Sequence, residues 1–304
     1  MFTRRRFLKT GTLAGGALLA PTLATRTIAQ VTLPGGTLTT VSDGYLSLPE
    51  AFVLGDLPAD EARAIITGAG YDLQAYQSPC NLTLWQSEGR NVLFDAGSGP
   101  DFMPNAGDIA GSLEALGLSL DDITHVIFTH GHPDHLWGAT DDFDEPTYYN
   151  AAYHMGGDEH AYWSDANTVN TIDEGRQAFA AGALRRLELL EGGVSLFGAG
   201  DELVPGVTAV GSPGHTPGHM SFRVGGEGGV FVIGDAIANS HLALKRPDWT
   251  SPSDQDPELG LQTRQAMLEQ LAGSGETVVG FHFKDGGIGI ISRDGDAYTF
   301  TPAA

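Results

Sequence analysis

A chain of 304 residues, 41% hydrophobic and with 42 glycines, is long enough to bury a full core and turns often between short elements, which excludes a disordered polypeptide. Its apolar residues are dispersed, and no run approaches the roughly 18 needed to cross a bilayer. With 16 basic against 38 acidic residues the surface field repels phosphate backbones, which argues against a nucleic-acid partner.

The first 29 residues stand apart. Arg4, Arg5, Arg6 and Lys9 precede a short stretch rich in Gly, Ala and Leu, and small residues follow around Thr27 and Ala29. A basic region, a weakly apolar region and a cleavage-type end make a secretory signal, and Thr3 to Lys9 resembles the twin-arginine export signal. The expectation is a signal over 1–29, handled by the twin-arginine export machinery, followed by one domain over 30–304 in the periplasm or outside the cell. No membrane anchor would remain after cleavage. That segment holds five of the basic residues and no acidic one, so the mature chain would set 11 basic residues against 38 acidic ones. Cys80 is alone, which rules out an intramolecular disulfide and suits a small buried residue.

Along the remaining chain, apolar or β-branched runs at 38–41, 82–85, 92–94, 125–129, 207–210, 222–224, 230–233, 277–279 and 288–291 predict strands bounded by Gly, Pro and Asp. Helical periodicity predicts helices over 109–116, 177–190 and 257–271. The mixture is an α/β domain. The acidic, aromatic stretch 141–170 has no clear period and is read as a lid or a surface excursion.

The chemistry concentrates in FTHGHPDHLWG, residues 128–138, which sets His130, His132, Asp134 and His135 at the end of a predicted strand. Alternation sends His130 and His132 to one side, Gly131 permits a tight turn, and Pro133 suits the first turn of a helix. Imidazole and carboxylate together suit zinc, iron or manganese and not an all-oxygen calcium site. Three isolated groups follow: His215 in GSPGHTPGHMSF, Asp235 in FVIGDAI and His282 in VVGFHFKDG, each in a turn or at a predicted strand end beside small residues.

The order THGHPDH, GHTPGH, IGD and GFHF, with VLFDAGSG upstream, resembles the metallo-β-lactamase fold superfamily over essentially the whole mature length. The resemblance implies a four-layered αββα sandwich with a two-metal site along one edge of the sheets. Carried over by residue, it puts His130, His132 and His215 on one ion, Asp134, His135 and His282 on the other, and Asp235 between them. The implied cofactors are two divalent ions, zinc first, with iron or manganese as alternatives. Asp95 matches an aspartate behind the ligands that orients an imidazole.

The outer segments TLTTVSDGYLSLP, LVPGVTAVGSPGHTPGH and GGIGIISRDGDAYTFTP are most similar to methyl parathion hydrolase and its relatives, with some likeness to N-acyl homoserine lactonases. This implies hydrolysis of an ester, lactone or phosphotriester small molecule by a metal-bridging hydroxide, with Asp235 and Asp134 as catalytic carboxylates. Asp235 argues against true β-lactamase activity, and His132 against the di-iron redox branch. The alternatives are a mononuclear iron oxidoreductase resembling persulfide dioxygenases, a glyoxalase II-like thioesterase, and a non-catalytic binding protein. Phe102, Trp163 and Phe281 are the candidate pocket walls, with Trp137 and Phe283 behind them. His241, Lys245 and Arg246 are read as solvated surface, His219 as structural, His125 as a strand residue, and His154 and His160 as without a role.

Overall fold

The computed structural model describes residues 29–303, so the export-signal reading falls on residues 1–28, outside the described part, and on Ala29 at its edge. Two seven-stranded sheets face one another. The first runs in chain order: β1 (Gln30–Leu33), β2 (Gly36–Ser47), β3 (Gln77–Ser87), β4 (Arg90–Phe94), β5 (His125–Ile127), β6 (Ala152–Gly156) and β7 (Val194–Phe197). The second comprises β8 (Glu202–Val204), β9 (Val207–Gly211), β10 (Met220–Val224), β11 (Val230–Gly234), β12 (Thr277–Gly280), β13 (Ile288–Asp294) and β14 (Ala297–Pro302), also neighbours in sequence order. Pairing is parallel from β4 through β7 and between β11 and β12, and antiparallel elsewhere.

The helices are α1 (Glu50–Leu54), α2 (Ala59–Gly68), α3 (Ile109–Ala115), α4 (Pro133–Leu136), α5 (Gly157–Ser164), α6 (Thr168–Thr171), α7 (Gln177–Leu189), α8 (Ser240–Lys245) and α9 (Pro257–Ser274). Three apolar layers hold the four structural layers together. Between the sheets lie Leu38, Trp85, Val92, Phe94 and Ile127 of the first against Phe222, Val224, Val230, Val232 and Val279 of the second. Leu84, Leu93, Val126 and Phe128 pack outward against Leu113, Ala183 and Leu187 of α3 and α7, and Phe231, Ile233 and Val278 against Met267, Leu268 and Leu271 of α9. This is the αββα metallo-β-lactamase sandwich that the sequence implies.

The predicted strands and helices all form, with shifted ends. β5 stops at Ile127, two residues early, because the chain from Phe128 onward leaves the sheet to carry ligands. α9 extends as its signals direct: Asp256 caps the Leu259 N–H, Pro257 takes the first position and Gly275 leaves in the left-handed region at φ 65°. The stretch 141–170 is a surface excursion only in its first part, where residues 141–145 are exposed. It contributes β6, α5 and α6, and Tyr148, Glu159 and Trp163 from it are buried.

One irregularity shapes the approach to the site. The register of β2 on β3 shifts between Ser42 and Tyr45, and at this bulge Asp43 is fully buried. Its carboxylate accepts from the N–H groups of Ser98 (2.8 Å), Gly107 (3.1 Å) and Ile109 (3.0 Å), which fixes the loop between β4 and α3. Burial pushes the Asp43 pKa up from 3.8 to about 6, against the opposing pull of those donors. The folded chain therefore holds this proton more tightly than the unfolded one, and the associated stabilisation is lost as pH rises from about 4 through 6. In metal-free protein, the stability of wild type minus that of Asp43→Asn should fall by up to about 3 kcal/mol between pH 4 and 7. Urea titrations at several pH values measure this, and a flat difference would show that Asp43 does not titrate in that window.

Candidate metal centre

The ligand-type residues leave the strands at one edge of the sandwich. His130 and His132 follow β5, Asp134 and His135 open α4, His215 lies in the turn between β9 and β10, Asp235 directly follows β11, and His282 follows β12. All seven are buried. Nε2 of His130 and Nδ1 of His132 are 3.0 Å apart, and the latter is 2.9 Å from Nε2 of His215. Three imidazole nitrogens thus face one small space. Asp235 lies beside it, with Oδ2 3.4 Å from His215 Nε2 and 3.4 Å from His282 Nε2, while Oδ1 is 3.6 Å from His135 Nε2. Asp134 Oδ2 stands 3.4 Å from His135 Nε2 and 3.3 Å from His282 Nε2.

Asp134 Oδ2, His135 Nε2 and Asp235 Oδ1 are buried without a hydrogen-bond partner. Unsatisfied buried lone pairs cost free energy unless a cation receives them, so this donor set fits divalent metal ions. The electrostatics differ across the site. Burial, then the neighbouring histidines, holds His130 and His132 well below the usual imidazole pKa, so both are neutral donors. Burial also opposes charge on His135 and His282, yet Asp134, Asp95 and Asp235 raise the first well above it, and Asp235 and Asp134 the second. In the same way burial opposes charge on Asp134 and Asp235, but His135 and His282 hold both carboxyls well below their ordinary range.

Each ligand is aimed from behind. Asp95, in the left-handed region at φ 69°, receives His135 Nδ1–H at 2.8 Å and the N–H and hydroxyl of Thr129, which leaves His135 Nε2 for the site. His282 Nδ1–H donates to the Pro79 carbonyl at 2.7 Å. His219 does more than fill space: burial pushes its pKa down to about 3, and its neutral ring accepts the Asp235 N–H at 2.9 Å while facing the Ser212 hydroxyl at 2.8 Å. Gly234, at φ 60°, brings this backbone close; a Cβ there would stand 2.7 Å from His219 Nε2.

Sequence reading misses two carboxylates. Asp254, held by both Nη atoms of Arg264 at 3.1 Å, faces His215 Nδ1 at 3.4 Å. Glu159 of α5 accepts the Gly131 N–H (2.9 Å) and Trp163 Nε1–H (2.6 Å) on one oxygen, and the Thr216 hydroxyl (2.8 Å) and Gly218 N–H (2.9 Å) on the other. It joins the His130 loop to the His215 loop across the two sheets. A single Glu in so acidic a chain has no local signature; the only hint is its place just ahead of a Trp.

The aromatic expectations need correction. Trp163 is fully buried behind the ligands, its indole so close to Gly131 that a Cβ there would lie 2.4 Å away. Close approach, and not turn geometry, requires that glycine. Phe281 stacks on His135 with ring centres 3.9 Å apart and also lies outside the pocket, while Phe283 packs edge-on to Phe300 in the outer core. Trp137 lies under the Arg186 guanidinium. Only Phe102 of the named aromatics reaches the pocket, a cavity of about 280 Å³ above His132, Asp134, His215, Asp235 and His282. Its other apolar walls, Leu46, Leu48, Val53, Tyr76, Met103 and Phe179, come from segments remote in sequence. His241, read as surface, is buried and meets the Tyr76 hydroxyl at 3.2 Å. Arg246 pairs with Glu61 and Asp248.

A family model described as the metallo-beta-lactamase superfamily matches residues 75–282. A curated relative, the uncharacterized protein YobT of Bacillus subtilis (strain 168), is 28% identical over 164 residues, which cover 52% of this chain and 62% of YobT, less than two thirds of that relative. Among solved structures, that of AidC, a dizinc quorum-quenching lactonase in complex with a product, matches with a TM-score of 0.85 at 21% identity, over 91% of this chain and 97% of AidC. The hydrolase AbOPH of the beta lactamase superfamily matches with a TM-score of 0.84 at 23% identity, over 91% and 98%. At such identities the shared feature is the fold.

The Glu159 clamp generates a test. Glutamine at this position keeps one acceptor oxygen and places an amide group against two of the four donors. Glu159→Gln should weaken the tightest metal site about tenfold or more, the range typical of groups that orient ligands. Competition with a chromophoric chelator measures it; wild-type affinity in a folded variant would show that the loops hold their positions without the clamp.

Proposed function

Because the chain belongs to the metallo-beta-lactamase superfamily, we propose that it is a dinuclear metal-dependent hydrolase of neutral esters, lactones or phosphotriesters. The observation that carries this reading is the position of Asp235 between His215 on one side and His135 and His282 on the other, beside the unpartnered Asp134 Oδ2 and His135 Nε2, at the floor of a largely apolar pocket. His130, His132 and His215 would hold one ion, Asp134, His135 and His282 the other, with Asp235 shared and zinc the first choice of metal. Two bound cations would lower the pKa of water from about 15.7 to about 7 and polarise the scissile carbonyl or phosphoryl oxygen.

The protein's own contribution is placement. Asp235, fixed through its backbone by His219, lies where it can accept a hydrogen bond from an attacking water. The imidazoles of His135 and His282 are locked in one tautomer and direction by Asp95 and the Pro79 carbonyl respectively. Phe102, Met103 and Phe179 offer an apolar wall that orients a substrate chain and keeps bulk water away. Likeness to methyl parathion hydrolase in the outer segments, and the lactonase AidC among the similar folds, support phosphotriesters and lactones as the first substrates to try. The reading includes twin-arginine export to the periplasm or beyond, supported by the arginine run at 4–6; export of folded protein would allow metal loading beforehand.

The decisive experiment incubates mature, metal-loaded protein with an aryl ester, an acyl homoserine lactone, a methyl phosphotriester and a cephalosporin. Turnover of at least one of the first three and none of the cephalosporin is expected, with a loss of about a thousandfold or more in Asp235→Ala. Near-normal rates in that variant would overturn the role given to Asp235. Silence across the panel, with oxygen uptake on a persulfide, would replace hydrolysis by dioxygenation.

The pocket wall has its own test. Phe179→Ala should raise KM for a long-chain ester several-fold, less for a short-chain one, and leave kcat nearly unchanged, since the wall binds ground state and transition state alike. An equal fall in kcat for both esters would instead place Phe179 in the catalytic step.

A further inference from the structure

The reading of Cys80 as a small buried residue accounts for its burial but not for its neighbours. Cys80 is inaccessible in β3, and its Sγ, a carboxylate oxygen of Asp134 and a ring nitrogen of His282 all lie within 4.8 Å of one another. Position there is enforced from both sides along the strand. Pro79, immediately before it, accepts His282 Nδ1–H at 2.7 Å, and Asn81, immediately after it, donates its amide to the carbonyls of Phe281 (2.9 Å) and Phe283 (2.7 Å). The segment carrying His282 is thus laced to the two residues flanking Cys80, and the thiol is pinned beside the imidazole. Independently, Asp134 is 5% exposed and its Oδ2, 3.3 Å from His282 Nε2, has no hydrogen-bond partner, so this corner of the centre waits for a cation.

We propose that Cys80 supplies a thiolate to the second metal position, beside Asp134, His135 and His282. Zinc–sulfur and zinc–nitrogen bonds of about 2.3 Å and 2.1 Å at a tetrahedral angle would put the two donor atoms about 3.6 Å apart, so a triangle of this size closes if the side chains draw together by about an ångström. Coordination breaks the S–H bond, forms a sulfur–metal bond and releases one proton to solvent, with no change of oxidation state. A soft sulfur donor would distinguish the second position from the first, whose set is three imidazoles and the shared Asp235 carboxylate. It biases the second position toward zinc, cobalt or iron and away from manganese or magnesium. The proposal rests on the reading of this site as a metal centre and is independent of which bond the protein hydrolyses.

The sole cysteine makes the test direct. Mature protein is stripped of metal, reloaded with two equivalents of Co(II), and its electronic absorption recorded. A thiolate-to-cobalt charge-transfer band in the near ultraviolet is expected, appearing with the second equivalent, and it has one sulfur anion to come from. In Cys80→Ser the band should vanish while the visible cobalt transitions persist. Two bound cobalt ions without the band, in wild type alone, would overturn the proposal even where the variant fails to fold, and so would a band retained in Cys80→Ser. A band in protein that hydrolyses nothing on the panel would leave this assignment standing while the hydrolase reading fell; hydrolysis without the band would do the reverse.

Discussion

The centre depends on one buried carboxylate. Glu159 spends all its accepting capacity on four donors, two from the β5 side of the sandwich and two from the loop between β9 and β10. Without it, the convergence of His132 and His215 to 2.9 Å would rest on two loops belonging to different sheets, each free to relax away from the other. Burial raises its pKa, and only a full set of donors makes a charge tolerable there. The clamp must therefore form whole or not at all, which couples folding of α5 to assembly of the ligand set.

The cluster that the fold brings together was legible because coordination chemistry restricts residue types and spacing so tightly. His130, His132, Asp134 and His135 fall within six positions at a strand end, a spacing that a metal site would ask for. The supporting groups were not legible for the opposite reason. Asp43, Glu159 and Asp254 act through backbone or side-chain donors far away in sequence, and each looks like any acid in a chain with 38 of them. Aromatic residues misled in a related way. Trp163 and Phe281 adjoin the ligands in space, but on the protein side of them, where they stiffen the rings, and an apolar side chain beside a ligand carries no mark of which side it occupies. β5 and β12 were read from their apolar runs although each is four residues or fewer, whereas β1, β7, β8 and α6, equally short, escaped, as did the longer α2, α5 and β14.

The two halves of the centre ask different things of a cation. His130, His132 and His215 offer three imidazole nitrogens, His132 Nδ1 standing 3.0 Å from His130 Nε2 and 2.9 Å from His215 Nε2, with Asp235 nearby as counter-charge. The other half is rich in carboxylates, and in the absence of metal His135 and His282 take up that negative potential as protons. Metal and proton thus compete at the second position far more than at the first. Asp235 lies between the two, since its Oδ2 stands 3.4 Å from both His215 of the first group and His282 of the second, while its Oδ1 stands 3.6 Å from His135.

Around this charged floor the pocket is largely apolar, relieved by Ser78, Asn239, Ser251 and Ser253, and among the described residues that line it Arg176 is the one arginine or lysine. That guanidinium is already engaged with the carbonyls of Pro252 at 3.0 Å and Asp254 at 3.4 Å, so it braces the loop over the pocket more than it solicits an anion. Outside, the acidic surface raises the energy of any approaching anion. A phosphomonoester or polycarboxylate would have to cross that field and then shed its water against Phe102, Met103 and Phe179. A neutral ester, lactone or triester meets neither barrier. It carries no charge for the field to repel, its apolar portion gains from the wall, and the only charge it need develop appears in the transition state, beside the site where the cations would sit.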